Sequence, residues 1–317
     1  MTEKEFYEEI KRCILEYLPE EYQGSKVEIH DVIKDNDTRL TGITVIKNGE
    51  NAAPIIYLNG AYGDFRNGRM IDSICRQVSE SIVSHNDLNK SICNIDLSYD
   101  AIKSNLRVKV VNSKTNHQIL KESVSQSVGC GYSLIPYIDL KTNDMAGAMI
   151  RITKKLAEML GYSEGQIMED AIRETEQGDE VRLCRIEDIL FSSGDEPENL
   201  LNADHSNESF DAPLVLTNAA GVLGAAYLFL PNMQKRISET IGNDYYVLPS
   251  SIHEVLILPD NDGLEAHQLV NMVREVNRSM VDPEEQLGSK VLYYSRNLGH
   301  ICVAADLDRM RNKASER

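Results

Sequence analysis

The folds open to this chain are narrowed most by β-rich runs that follow one another too closely for a crossover helix. Val27 to Ile33, Leu40 to Ile46 and Pro54 to Leu58 are separated only by the turn-prone stretches Lys34-Asp35-Asn36-Asp37 and Asn48-Gly49-Glu50-Asn51. Strands joined by so few residues pair antiparallel, because a parallel partner needs a connection of about a dozen residues or more. The last third repeats the arrangement with Leu214 to Leu216, Tyr245 to Leu248, Val255 to Leu258, and a hairpin of Val291 to Tyr294 and His300 to Val303 turning at Arg296-Asn297-Leu298-Gly299. Helical patterns are interspersed without a regular strand-helix-strand alternation. The expectation is an α+β protein of antiparallel meanders and hairpins packed with amphipathic helices, not a doubly wound sheet.

The helices carry their own signals. Thr2 and Glu5 have capping-box spacing ahead of Phe6, Ile10, Cys13, Ile14 and Tyr17, and Ile71, Ile74, Cys75, Val78 and Ile82 form a second apolar stripe after a glycine-marked loop, Asn59 to Gly68. Ser163 and Gln166 have capping-box spacing for a helix whose core face is Ile167, Met168, Ala171, Ile172 and Thr175. Another helix starts at Pro231 and stops at Gly242, and Asp262 with Glu265 caps one carrying Leu269, Met272, Val273 and Val276. Between these lie strands at Leu106 to Val111, Ser133 to Leu140 and Met145 to Ile152, and a short helix near Asn116 to Lys121.

A length of 317 residues suits two domains. The patterns divide at about 140, giving an N-terminal α+β subdomain over 1–140 and a C-terminal one over 141–305, with residues 306–317 as a frayed, charged tail. Residues 192–212, rich in Ser, Asn, Asp and Glu with few apolar anchors, read as a flexible acidic insertion.

The formal net charge of −17 repels phosphate backbones, which argues against direct nucleic-acid binding. No apolar stretch reaches the ~20 residues of a membrane span, and Met1-Thr2-Glu3-Lys4-Glu5 lacks a signal-peptide profile. The six cysteines are scattered with no Cys-x-x-Cys pair, as expected of buried free thiols in a reducing, cytoplasmic compartment.

Reactive side chains concentrate in one loop, Pro249-Ser250-Ser251-Ile252-His253-Glu254, between two apolar runs. In an extended segment Ser251 and His253 share a face, about 6 to 7 Å apart, while Ser250 and Glu254 point the other way. A serine hydrolase needs hydroxyl, base, orienting acid and oxyanion donors together, and the sequence supplies two of these parts at most. There is no Gly-x-Ser-x-Gly elbow, and Gly129-Cys130-Gly131 has no matched histidine. His253-Glu254 lacks the second histidine of a zincin helix, since position 257 is isoleucine, and the loop-like Asp260-Asn261-Asp262-Gly263 lacks a glutamate at its twelfth position, which is Asn271. Asn59-Gly60-Ala61-Tyr62-Gly63 and Gly221-Val222-Leu223-Gly224 are neither Walker loops nor dinucleotide fingerprints. Gly60 and Gly63 are read as permitting unusual backbone angles, and Tyr57, Tyr62 and Phe65 beside Arg66 and Arg69 as core rather than a small pocket. No cofactor or metal is implied.

The ordered string Leu214-Val215-Leu216-Thr217-Asn218, Leu223-Gly224-Ala225-Ala226, Tyr245 to Leu248, Pro249-Ser250-Ser251-Ile252-His253-Glu254-Val255 and Met272-Val273-Arg274-Glu275-Val276-Asn277 resembles a bacterial, Firmicutes-type family of domains of unknown function. Leu18-Pro19-Glu20-Glu21-Tyr22, Asn51-Ala52-Ala53-Pro54 and Tyr57-Leu58 are similar to it as well. The resemblance implies soluble intracellular proteins and no assigned activity. The chain departs from the pattern at Glu174-Thr175 and in 192–212.

These readings converge on a non-enzymatic protein that binds a protein or small molecule through Ser250, Ser251, His253 and Glu254, with the Asn218 turn as a neighbour. The alternatives are a hydrolase with Ser251 as nucleophile and His253 as base, and an acidic decoy for a basic protein surface.

Overall fold

The computed structural model describes residues 1–50, 53–92, 96, 98–140, 149–191, 196–203, 205, 208–249, 251–261 and 266–306, without the side chains of 86–92. Its described residues form an α+β fold with three antiparallel sheets. Contacts gather them into two compact units, the first from the described residues of Met1–Lys34, Thr38–Leu97 and Leu140–Ala148, the second from those of Asp35–Asp37, Ser98–Asp139 and Met149–Arg317.

The first unit begins with α1 (Glu3–Cys13), where the Thr2 hydroxyl accepts from the Glu5 amide and the Glu5 carboxylate accepts from the Thr2 amide, closing the predicted capping box. Strands β1 (Lys26–Ile33), β2 (Arg39–Ile46) and β3 (Ile56–Tyr57) pair in sequence order, the meander expected from their spacing. Then come α2 (Asn59–Arg66) and α3 (Ile71–Ile92).

Helix α2 corrects the sequence reading, which places a glycine-marked loop there. Gly60 and Gly63 sit in ordinary helical conformation, and a Cβ at either would meet nothing. The helix forms because Tyr62 and Phe65, one turn apart, pack their rings on Phe6 at 5.5 and 5.1 Å, and that burial offsets the entropic cost of the two glycines. Both are partly buried and packed against the core, with Tyr57 left at the rim, 37% exposed.

The second unit contains α4 (Tyr99–Ile102), β4 (Leu106–Asn112), α5 (His117–Glu122), β5 (Gln126–Gly129), β6 (Tyr132–Asp139), β7 (Met149–Arg151), α6 (Lys154–Leu160) and α7 (Glu164–Gly178). It continues with β8 (Val181–Arg185), α8 (Ile186–Phe191), β9 (Leu214–Asn218), α9 (Met233–Ile241), β10 (Tyr245–Leu248), β11 (Val255–Pro259), α10 (Ala266–Met280), β12 (Leu292–Ser295) and β13 (His300–Val303). One sheet runs β4-β6-β5 with β7 beside β6, and the other runs β13-β12-β10-β11-β9-β8.

Residues 98–139 thus belong with the second unit, whereas the sequence patterns suggest a division at 140. The cause is a buried seam between β4 and α7. The Val108 amide donates to the Thr175 hydroxyl at 3.0 Å, and the buried Arg107 guanidinium reaches Asp179 at 3.0 Å over Gly178, where a Cβ would lie 2.3 Å from it. Asp35–Asp37 joins the same unit: Asp35 pairs with Lys109, and the Asp37 carboxylate accepts from the first amides of α5, Gln118 and Ile119.

In the six-stranded sheet the central strands face each other ring to ring. Tyr245 stacks on Tyr294 at 5.0 Å and Tyr246 meets Tyr293 edge-on at 4.8 Å, on opposite faces as the two-residue period requires. The stretch 192–212, read as flexible, has anchors among its described residues. Leu200, His205 and Phe210 are buried, and Glu196, Glu198 and Glu208 pair with Arg182 and Arg185. The expected Asp262–Glu265 cap, much of the Met145–Ile152 strand and the tail from 307 lie outside the described residues. No described helix is long and apolar enough to cross a membrane.

Candidate functional site

Strands β10 and β11 pair with Leu248 opposite Leu256, so residues 249–254 connect them. Ser250 lies outside the described residues. Ser251 is buried; its oxygen accepts from the His253 amide at 3.1 Å and its own amide donates to the Glu254 carbonyl at 3.3 Å. A serine that bonds the backbone two residues on makes a turn. The segment is therefore bent, not extended, which corrects the expectation that the two side chains share one face.

His253 is held at both ring nitrogens. Nδ1 accepts from the Leu223 amide at 3.2 Å, and Nε2 lies 3.3 Å from a Glu285 carboxylate oxygen. An acceptor nitrogen carries no proton, so the ring's hydrogen sits on Nε2, facing Glu285. The Leu223 amide points at the ring because Leu223 adopts a left-handed backbone (φ 57°), closing a loop that starts at Asn218. Both ends of the Asn218 amide bond Val222, accepting from its N–H at 3.0 Å and donating to its carbonyl at 2.9 Å.

Further bonds lock this loop to the serine-histidine turn. The Thr217 hydroxyl donates to the His253 carbonyl at 3.0 Å, Ala225 N–H to the Ile252 carbonyl at 3.3 Å, and Ile252 N–H to the Glu285 carbonyl at 2.9 Å. Gly224 lies beneath them, where a Cβ would meet Thr217 Oγ1 at 2.6 Å and the His253 carbonyl at 2.7 Å. The structure thus brings Asn218, Ser251 and His253 into one clasp. Glu254 is half-buried at its edge and makes no ion pair among the described residues.

Chemically, this arrangement fixes an imidazole without directing it at a hydroxyl. Among the described residues no serine oxygen hydrogen-bonds the His253 ring. Glu285 is the participant that the sequence could not supply, since it stands 32 positions after His253 in a polar stretch with no pattern linking the two.

Two buried polar clusters were also hidden from the sequence. Asp170 lies fully buried on α7, accepting from Tyr99 at 2.6 Å, from Arg173, and from Lys103 at 3.2 Å. Burial pushes its carboxyl up, but the hydrogen bonds from Tyr99, Arg173, Lys103 and Gln166 outweigh it and bring it down to about 2. In the first unit the sulfurs of Cys13 and Cys75 stand 3.1 Å apart as free thiols, both pushed up chiefly by burial.

Cys130 occupies a left-handed turn (φ 52°) between Gly129 and Gly131, its thiol directed at the Ile301 carbonyl at 3.6 Å. Asp260 accepts from the Tyr293 hydroxyl at 2.7 Å. Among the described residues no group of three or more His, Cys, Asp or Glu could hold a metal ion.

A family model described as a family of unknown function, DUF5688, matches residues 3–296. No curated protein and no solved structure matches the chain.

Proposed function

The chain belongs to the DUF5688 family of unknown function, and we propose that it works by holding a partner, not by making or breaking bonds. The observation that carries this reading is the double engagement of His253. With Leu223 N–H on one nitrogen and Glu285 on the other, no nitrogen is left to take a proton from Ser251. The His253 side chain is 27% exposed and that of Glu285 40%, so the same clasp presents the edge of a fixed imidazole, two carboxylates and turn backbone to a protein or small-molecule ligand. Free thiols without a Cys-x-x-Cys pair support a cytoplasmic setting for it.

Glu285 favours one rival. A carboxylate against an imidazole is part of a hydrolase triad, with Ser251 as nucleophile. In such a triad the acid takes one nitrogen and leaves the other for the hydroxyl, a place occupied here by the Leu223 amide. Treatment with a serine-directed phosphonate probe separates the two readings. No adduct at Ser251 is expected; an adduct that disappears in Ser251→Ala establishes the hydrolase.

A further inference from the structure

The second unit carries a cleft of about 450 Å³ between α10 and the ends of β12 and β13, well removed in chemistry from the His253 clasp. One wall is a stripe of α10: His267, Asn271 and Arg274 follow at i, i+4 and i+7, so they line about 10 Å of one helix face. That stripe borders the buried face of the helix, where Ala266, Leu269 and Val273 pack on Tyr246, Leu248 and Tyr293. The opposite wall supplies Ser289, Lys290 and the apolar surface of Val291, Val303 and Ala304.

Its charge is unusual for this chain. Aspartate and glutamate make up 50 of 317 residues, yet none lines the cleft among the described residues, while the cations Arg274 and Lys290 do. The larger clefts beside α1 mix both signs, with Glu5, Glu8 and Glu9 beside Lys4, Lys11 and Arg12 in one and Glu3, Glu8 and Asp31 beside Lys4, Lys11 and Arg39 in the other. Within the cleft the side chains of Asn271, Arg274 and Ser289 line the wall with no hydrogen bond or ion pair among the described residues.

Lys290 is exposed but its ammonium has a fixed neighbour. Its ammonium donates to the Cys130 carbonyl at 3.3 Å and lies across Gly131, where any Cβ would stand 2.5 Å from Nζ. The left-handed Gly129-Cys130-Gly131 turn therefore places a positive charge at the rim.

We propose that this cleft binds a small phosphate monoester with an apolar body. Arg274 offers a planar fork and Lys290 a point charge, which together balance a phosphate dianion. Asn271 and Ser289 add neutral donors to its remaining oxygens, and Val270, Val291 and Val303 take the apolar part. The volume falls within the range of ordinary small-molecule sites.

Calorimetric titration of the full chain with phenyl phosphate tests this, with inorganic phosphate and succinate as comparison ligands. The expected result is saturable one-site binding, tighter than for either comparison ligand and weakened at least about tenfold by Arg274→Gln and by Lys290→Gln. These side chains are exposed, so both variants are expected to keep the wild-type circular dichroism. His253→Ala should leave phenyl phosphate binding unchanged, which separates failure here from failure of the His253 reading. Absence of saturable binding, indifference to both substitutions, or tighter binding of succinate overturns the proposal.

Discussion

The Leu223 amide donates to Nδ1 of His253 at 3.2 Å, and this one bond decides which way the imidazole's proton faces. It ties the turn after β9 to the connection between β10 and β11, with Gly224 as the close-approach point below. Consequences for stability follow from that closeness.

Gly224→Ala should destabilise the second unit by about 2 kcal/mol or more. The new methyl group would meet Thr217 Cα and the His253 carbonyl at 2.7 Å, both backbone atoms that cannot swing aside. Urea denaturation should show a lower midpoint at unchanged slope. Wild-type stability in this variant would falsify the tight clasp.

Ser251→Ala removes the acceptor of the His253 amide and should cost about 1 kcal/mol, the usual net worth of such a bond. Its partner carrying the same loop, Thr217→Val, should cost a similar amount by freeing the His253 carbonyl. Because both bonds hold one turn, a double-mutant cycle should give a loss that departs from the sum.

Asp170 makes the second unit acid-sensitive. Its carboxyl is lower in the folded protein, about 2, than its ordinary value of 3.8, so the folded state favours the ionised form. That contribution, roughly 2 kcal/mol, is complete above the ordinary value and drains away as pH falls toward about 2. Denaturant titrations between pH 5 and about 2 should show this slope, and Asp170→Asn should flatten it while lowering stability at neutral pH. An unchanged slope in the variant would count against the cluster.

Burial pushes the thiols of Cys13, Cys75, Cys130 and Cys184 up, so the reactive thiolate is scarce at neutral pH. Iodoacetamide at pH 7 should label these four slowly in the native protein and rapidly after denaturation, as read by mass spectrometry. Fast native labelling of Cys75 would contradict the packing of α3 on α1.

Elements whose information is local were legible in the sequence. Thr2 with Glu5 closes the capping box that its spacing implies, Ser163 caps α7 through its hydroxyl while the Gln166 side chain bonds Asp170 instead, and the Arg296–Gly299 turn joins β12 to β13 as expected. Where long-range packing overrides local propensity, legibility fails. Gly60 and Gly63 suggest a loop, yet rings on Phe6 make α2 worth forming. Asp170 falls within an apolar helical pattern, and its partners Tyr99 and Lys103 lie 71 and 67 positions earlier, so nothing nearby signals a buried charge. In the clasp, Ser251, His253 and Asn218 are visible as polar residues at strand ends, but the bend between them and the intervention of Glu285 depend on the folded chain alone.

The facing tyrosines of β10 and β12 give the molecule a built-in optical reporter. The chain has 14 tyrosines and no tryptophan, so its ultraviolet emission has no stronger fluorophore to mask it. Rings as close as those of Tyr245 and Tyr294, 5.0 Å between centres, couple their electronic transitions and sense each other's orientation. A near-ultraviolet dichroic signal from these pairs would therefore disappear when the six-stranded sheet opens, tracking the second unit without any attached dye.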